Sequence, residues 1–117
     1  MNKLTDLKKK IIQINENCTT DFQKYRGFSR MQGGRYELNC VVDNVTIDGK
    51  ITGLIADIDE QLIEVGIGFD LKNKEICDAI AQVEKGEEVT LITELISIEF
   101  TDYKEVVFFE IKNVKRI

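Results

Sequence analysis

The sequence predicts a mainly β protein (α+β by content), a five-stranded Greek-key barrel that follows a helical extension. At Tyr36 the apolar spacing changes from every third or fourth residue to every second one. From there the chain is organised as three strands, a helix and two strands. Its 117 residues, 43% hydrophobic and 32% charged, suit one folded core. We therefore expect a basic N-terminal helical extension and arm over residues 1–35 and the barrel over residues 36–117.

The extension begins with an apolar stripe made of Leu4, Leu7, Ile11 and Ile14. Their spacing of three, four and three residues predicts an amphipathic helix over residues 3–14. Thr20 and Gln23 match a capping box, which predicts a short second helix that runs to about Lys24. Residues 26–35 are rich in Gly and Arg and lack periodicity, so we expect a loop, called the arm, in this segment.

The apolar stripe of the first helix has two potential partners. It packs back on the barrel, or it pairs with the stripe of a second copy and makes the protein a homodimer. A sustained coiled coil needs at least three heptads, and this stripe covers only about two. Its shortness favours packing on the barrel.

Alternating apolar residues predict the first three strands. The first strand places Tyr36, Leu38, Cys40 and Val42 on one face. Asp48-Gly49 then predicts a two-residue hairpin turn, because a type I′ turn needs positive φ at both positions. The second strand covers residues 50–58, in which Gly53 marks a bulge or a sharp bend. The third strand covers residues 62–69.

A helix separates the third and fourth strands. Asp70 or Asn73 caps it, and its apolar stripe consists of Ile76, Ala79, Ile80 and Val83. Lys85-Gly86 is the expected stop, because glycine readily adopts the left-handed conformation that ends many helices. The last two strands are predicted over residues 88–98 and 105–115.

The segment GEEVTLITEL after this helix, followed by EVVFFEIKNVKRI, resembles the final strands of bacterial OB-fold domains in the tRNA-anti-like group. YELNCVVDNVTIDGKITGLIADID is similar to the opening strand pair of those domains. The resemblance covers residues 36–117 and implies an OB-like barrel with its helix between strands 3 and 4. OB folds bind ligands across strands 2 and 3, between the loops that join strands 1–2 and 4–5. The helical extension and the tight first turn depart from that pattern.

The charges divide the chain into two unlike halves. The net charge is −5, but residues 1–35 carry +5 and residues 36–117 carry −10. Three of the four arginines, Arg26, Arg30 and Arg35, lie close together in the basic half. Phosphate affinity comes from Lys and Arg, so the acidic barrel is a poor general surface for a polyanion. The basic extension is the better candidate for binding a polyanion. The alternative is that the charges of the two halves only keep the chain solvated or attract each other.

The first functional hypothesis is a non-enzymatic module that binds single-stranded DNA or RNA. Basic and aromatic residues alternate around the arm, an arrangement that suits phosphates and unstacked bases. The resemblance adds the loop between strands 4 and 5. The candidate binding residues are Tyr25, Arg26, Phe28, Arg30, Arg35, Phe100, Tyr103 and Lys104, with Tyr36 ending the arm. The competing interpretation of Phe28 and Phe100 is that they plug the two ends of a small barrel.

The second hypothesis is an acidic protein-binding adaptor or inhibitor, of the kind that some phages encode, which occupies the basic groove of a nucleic-acid enzyme. The −10 charge of the barrel motivates it, and the candidate contacts are Asp57, Asp59 and Glu60. The spacing of the two aspartates also suits a hard cation, but without further ligands a solvated strand end is the simpler interpretation. We expect no metal and no cofactor.

Several residue types that serve catalysis are missing from the sequence. Without His there is no Ser-His-Asp triad, Cys-His pair or imidazole base, so we expect no enzyme activity. The three cysteines, Cys18, Cys40 and Cys77, form no CxxC pair and are expected to be reduced thiols in a cytoplasmic protein. The N-terminus lacks the apolar region of a secretory signal, and no apolar run approaches a membrane span, so we expect no membrane partner.

Overall fold

The computed structural model describes residues 1–58, 63–100 and 104–116. Its elements are β1 (Asn2–Lys3), α1 (Leu4–Asn17), α2 (Asp21–Ser29), β2 (Arg35–Val45), β3 (Lys50–Ile55), β4 (Ile63–Gly68), α3 (Lys74–Ala81), β5 (Glu88–Phe100) and β6 (Glu105–Arg116). The five predicted strands correspond to β2–β6. The two-residue strand β1 was not predicted, since so short a segment carries no periodicity.

Strands β2–β6 close into a barrel. Their order is β2-β3-β4-β6-β5, and β5 pairs back with β2. The β4–β6 pair is parallel, whereas the other pairs of the barrel are antiparallel. Helix α3 lies between β4 and β5 in the chain and packs on β6. This confirms the predicted five-stranded OB-like barrel with its helix between the third and fourth barrel strands.

The N-terminal extension shares the core of the barrel. Leu4, Leu7 and Ile11 on α1 are at most 3% exposed and belong to the same apolar cluster as the inward residues of β2–β6. The Asn15 side-chain amide donates to the Glu105 carboxylate at 2.7 Å, which ties α1 to the start of β6. The apolar stripe therefore packs on the barrel, as its length favoured. A homodimer through this stripe requires α1 to leave its own core.

Helix α2 is longer than predicted and corrects the expected arm. The capping box of Thr20 and Gln23 is present, but the helix continues to Ser29. The glycine that suggested a loop, Gly27, lets α2 approach α1, because a Cβ there would lie 3.1 Å from the Ile14 Cγ2 atom. Burial of Phe28 stabilises this last turn, so tertiary packing outweighs the low helix propensity of glycine.

The second half of the expected arm is a turn that docks on β5. The Gly33 N–H donates to the Leu95 carbonyl at 2.8 Å, and the Leu95 N–H donates to the Gly34 carbonyl at the same distance. Gly33 has φ of +83°, a conformation that other residues adopt only with strain. The backbone of the expected arm is therefore anchored to β5 at Gly33 and Gly34.

The hairpin between β2 and β3 is in the predicted place but has a different turn. Only Gly49 has positive φ, at +88°, so the turn is not type I′. The Thr46 N–H donates to the Lys50 carbonyl at 2.9 Å, which leaves a three-residue loop with its glycine in the left-handed conformation. The Thr46 hydroxyl also bonds to the Asp48 carboxylate, and this local contact stabilises the longer turn.

The bulge that Gly53 indicated is present, with the extra residue in the partner strand: it lies in β2 between Val42 and Asn44, opposite Gly53 and Thr52 of β3. Gly53 also allows β2 to approach β3, because a Cβ there would overlap the Val41 carbonyl oxygen. The predicted end of the helix needs adjustment. Helix α3 ends at Ala81, several residues before the expected stop. Gly86 follows in a turn, where its N–H donates to the Val42 carbonyl of β2. The positive φ of Gly86 allows the chain to turn there toward β5.

Candidate nucleic-acid interface on the N-terminal extension

Helix α2 presents an exposed basic and aromatic surface. Phe22, Tyr25, Arg26 and Arg30 follow one another at helical spacings of three, one and four residues, and all four are exposed. We call this set the α2 face. The opposite side of the helix carries Phe28, which is 1% exposed. The buried ring fixes the rotation of α2 and therefore the direction of the α2 face.

The two aromatic rings of the α2 face lie against each other in solvent. Phe22 is 67% exposed and Tyr25 is 59% exposed. Their ring centroids are 6.3 Å apart and the ring planes differ by 21°, a stacked arrangement. Exposed flat rings of this kind offer π-faces to unstacked bases.

The arginines of the extension have their guanidinium groups available. Within the described part of the chain, Arg26, Arg30 and Arg35 make no ion pair. Some cations of the barrel are paired, as in Lys104–Glu64 at 3.0 Å, Lys112–Glu94 at 3.3 Å and Arg116–Glu87 at 2.7 Å. Others, including Lys72, Lys74 and Lys85, make no ion pair among the described residues. The extension differs from the barrel because its basic residues outnumber its acidic ones, which gives residues 1–35 a net charge of +5.

A groove of about 470 Å³ separates α1 from α2. Gln13 and Asn17 line it from α1, whereas Arg26 and Arg30 line it from α2. Ile14 and Gly27, whose close approach joins the two helices, complete an apolar part of the lining. The groove thus places guanidinium groups opposite side-chain amides.

A second groove, of about 340 Å³, lies on the other side of α2. Tyr25 and Ser29 line it from the helix, and Phe100 lines it from the end of β5. The two grooves flank the α2 face, so a chain that follows this face has room on either side of the helix.

Phe28, one of the predicted aromatic contacts, is inaccessible to a base. Its ring is fully buried and packs on Phe100 with a centroid distance of 5.7 Å and an angle of 57°. Both rings belong to the apolar packing between the extension and the barrel. They meet at one place, so they do not plug two separate ends of the barrel.

The remaining predicted binding residues have unequal access. Arg35 is exposed at the start of β2, opposite Glu94 on β5. Lys104 is half-buried and paired with Glu64, and Tyr103 lies outside the described residues.

Tyr36, the last residue of the expected arm, is buried. Its ring meets Phe109 edge-on at a centroid distance of 5.7 Å. Burial, and then the negative charge of Asp6, raise the pKa of the Tyr36 hydroxyl. The side chain is part of the core and is inaccessible to a ligand.

The structure adds three residues that the sequence did not single out. Phe22, Gln13 and Asn17 border the arginines only because α2 continues past Gly27 and folds back along α1. The available signal was the spacing of Phe22, Arg26 and Arg30, which is regular if the helix is extended through the glycine. If the helix is assumed to end at Lys24, this regular spacing is not recognised.

Within the described residues, the outer face of the barrel has no comparable set of exposed aromatic rings beside arginines. Outward positions on β4 include Gly66 and Gly68, and the Phe108 ring of β6 leans over Gly66, where a Cβ would lie 2.9 Å from it. Asp57 is exposed with φ of +67°, whereas Asp59 and Glu60 lie outside the described residues. Among the residues that are described, no group of three or more carboxylates and cysteines is placed to hold a metal ion.

The three cysteines are free thiols, and burial raises the pKa of Cys40. Of the helices in the described segments, none has the length and apolar character needed to cross a membrane.

Comparison of the chain with protein-family models, curated proteins and solved structures found no match. The barrel topology is thus established by the structure itself. The resemblance to the tRNA-anti-like group of OB-fold domains stays a prediction.

Proposed function

We propose that this protein is a non-enzymatic binding module for single-stranded nucleic acid, and that the α2 face is its principal contact surface, with Arg35 as an additional phosphate contact. The observation that carries the proposal is the combination, on α2 and its C-terminal cap, of two arginines that make no ion pair among the described residues and two exposed, stacked aromatic rings. The ligand class follows from the chemistry of these side chains.

Each component of the α2 face contributes a different interaction. Guanidinium groups bind phosphate oxygens and release condensed counterions, which makes affinity dependent on salt. Aromatic rings stack on bases, and each stacked base contributes about 1–3 kcal/mol. A duplex hides its base faces, whereas a single strand exposes them. The rings therefore favour single strands.

The acidic barrel directs the ligand to the extension. Residues 36–117 carry a net charge of −10, which repels a polyanion from most of the molecule. The barrel also supports the binding surface, because the buried Phe28 ring anchors α2 to it. Helix α2 is therefore ordered before the ligand arrives, and little binding energy is lost in ordering it.

The proposal is tested by removing the arginines and measuring fluorescence anisotropy with a labelled single-stranded oligonucleotide over a range of salt concentrations. The triple variant Arg26→Ala/Arg30→Ala/Arg35→Ala loses three phosphate contacts, so the slope of log affinity against log salt should fall by about 2. An unchanged slope and affinity would refute the proposal.

A matched control removes three cations from the barrel half. Lys72, Lys74 and Lys85 are exposed and make no ion pair among the described residues, so replacing all three with Ala changes the net charge equally. The control should keep the salt slope of the wild type. An equal loss in both triple variants would show that net charge, and not the α2 face, governs binding.

A second candidate function, an acidic protein-binding adaptor or inhibitor, is favoured by the charge of the barrel. The net charge of −10 over residues 36–117 already includes ion pairs such as Lys104–Glu64, Lys112–Glu94 and Arg116–Glu87, so an acidic excess remains. Asp57 is exposed in the turn that follows β3 and has φ of +67°. Replacing Asp57 with Asn, which tolerates this backbone conformation, should slow association with a basic partner protein, and an unchanged association rate would count against this candidate.

A further inference from the structure

We propose that the α1–α2 groove is a pocket for one nucleotide and that Gln13 and Asn17 read its base, with a preference for adenine; this inference rests on the proposed function. The α2 face explains binding to any single strand. The groove beside it contains the chemistry needed to distinguish one base from another.

The groove has the size and the two kinds of lining that a nucleotide requires. Its volume of about 470 Å³ lies within the range of roughly 300–1,000 Å³ typical of small-molecule pockets. The guanidinium groups of Arg26 and Arg30 border one wall, where they reach a phosphate. The apolar contact between Ile14 and Gly27 gives a base a surface to lie on.

The opposite wall supplies the groups that read a base. Gln13 and Asn17 are four residues apart on α1, so their side chains lie on the same side of the helix. Both are exposed, and no side-chain hydrogen bond engages either carboxamide within the described residues. A carboxamide offers one donor and one acceptor side by side.

This pairing of donor and acceptor matches adenine. The amide of Asn or Gln bonds to the N6 amino group and the N7 atom of adenine at the same time, whereas arginine is the usual partner of guanine. In this groove the arginines, which belong to the α2 face, line the α2 side, and we expect the phosphates of a bound strand to lie against them. The carboxamides are therefore the groups left for the base.

A neighbouring amide, Gln23, has its oxygen engaged, so it does not offer a base a free donor and a free acceptor side by side. The Gln23 carbonyl oxygen accepts hydrogen bonds from the N–H groups of Thr19 and Thr20, at 2.8 Å and 3.3 Å, as part of the cap of α2. This cap also fixes the turn between the two helices. The width of the groove is thus set before a ligand binds.

The inference is tested by comparing 12-residue oligo(dA), oligo(dC) and oligo(dT) as anisotropy probes. Binding by stacking alone tends to favour flexible pyrimidine strands. We expect the opposite here, with oligo(dA) bound at least about fivefold more tightly than oligo(dT), the lower limit for one bidentate contact. The double variant Gln13→Leu/Asn17→Leu should lose this preference and keep the salt slope, because it retains every arginine.

The matched control is Asn44→Leu/Gln82→Leu, which makes the same kind of change at two exposed positions outside the groove. It should keep the preference for oligo(dA). If the wild type binds all three oligonucleotides equally, or if the Gln13→Leu/Asn17→Leu variant keeps the preference, the base-reading role is refuted while the proposed function stands. If the wild type binds none of them at low salt, both proposals fail.

Discussion

The distinction between a core aromatic and a ligand-binding aromatic on the same helix gives a sharp prediction. Phe22 and Phe28 lie on opposite sides of α2, with exposed fractions of 67% and 1%. We expect Phe28→Ala to weaken the fold, since its ring fills the space between the extension and Phe100. We expect Phe22→Ala to weaken nucleic-acid binding and leave the fold intact.

The magnitudes follow from burial. Truncating a buried Phe to Ala removes apolar contacts and leaves a cavity, which costs about 3–5 kcal/mol of unfolding free energy. With an unfolding entropy near 2.1 cal/mol/K per residue, this loss lowers the melting temperature of a chain of this size by roughly 12–20 °C. An exposed substitution such as Phe22→Ala changes the unfolding free energy by less than about 0.5 kcal/mol.

The two variants are compared by thermal denaturation and by anisotropy with a single-stranded oligonucleotide. Loss of one base stack in Phe22→Ala should weaken binding by about 5- to 150-fold. The reasoning would be refuted if Phe28→Ala melted within a few degrees of the wild type, because the ring could not then be part of the core. A Phe22→Ala variant with wild-type affinity would remove the aromatic part of the proposed interface.

Two further predictions concern the barrel. A Cβ at Gly53 would meet the Val41 carbonyl, so Gly53→Ala should destabilise the fold by about 1–3 kcal/mol. The control Thr52→Ala changes a neighbouring exposed residue and should melt close to the wild type. If the two variants melted at the same temperature, β2 and β3 would have room to move apart. The hydrogen bond from Arg116 lowers the pKa of Glu87, and the hydrogen bond from the Glu84 N–H adds to this effect. The Glu87 carboxylate therefore stabilises the fold at neutral pH, and this stabilisation is lost as the pH falls through the lowered pKa. The melting temperatures of wild type and Glu87→Gln should therefore differ at pH 7 and converge in acid, and a gap that widens in acid would contradict this sign.

The barrel was predictable because its signals are local and repeated. Apolar residues alternate clearly in β2, and the order of strands and helix restricts the topology to very few arrangements. The caps at Thr20 and Asn73 were also predictable from the sequence, since a capping side chain bonds to a backbone group within three residues.

The candidate site was only partly predictable, because it depends on a contact between distant residues. Gly27 is unfavourable in an isolated helix, and only the approach of Ile14 on α1 explains its place in α2. Without that contact, Arg26 and Arg30 are predicted in a loop and Phe28 is predicted to be accessible. The amides of Gln13 and Asn17 carry no recognisable motif until α2 lies beside them.

The most direct test of the central claim is the affinity of the wild-type protein for a labelled single-stranded oligonucleotide, measured by anisotropy at low and then at physiological salt. We expect tight binding at low salt that weakens steeply as salt rises, because the exposed arginines of the extension contact the phosphates. Absence of binding at low salt, where the attraction between these arginines and phosphate is strongest, would contradict it.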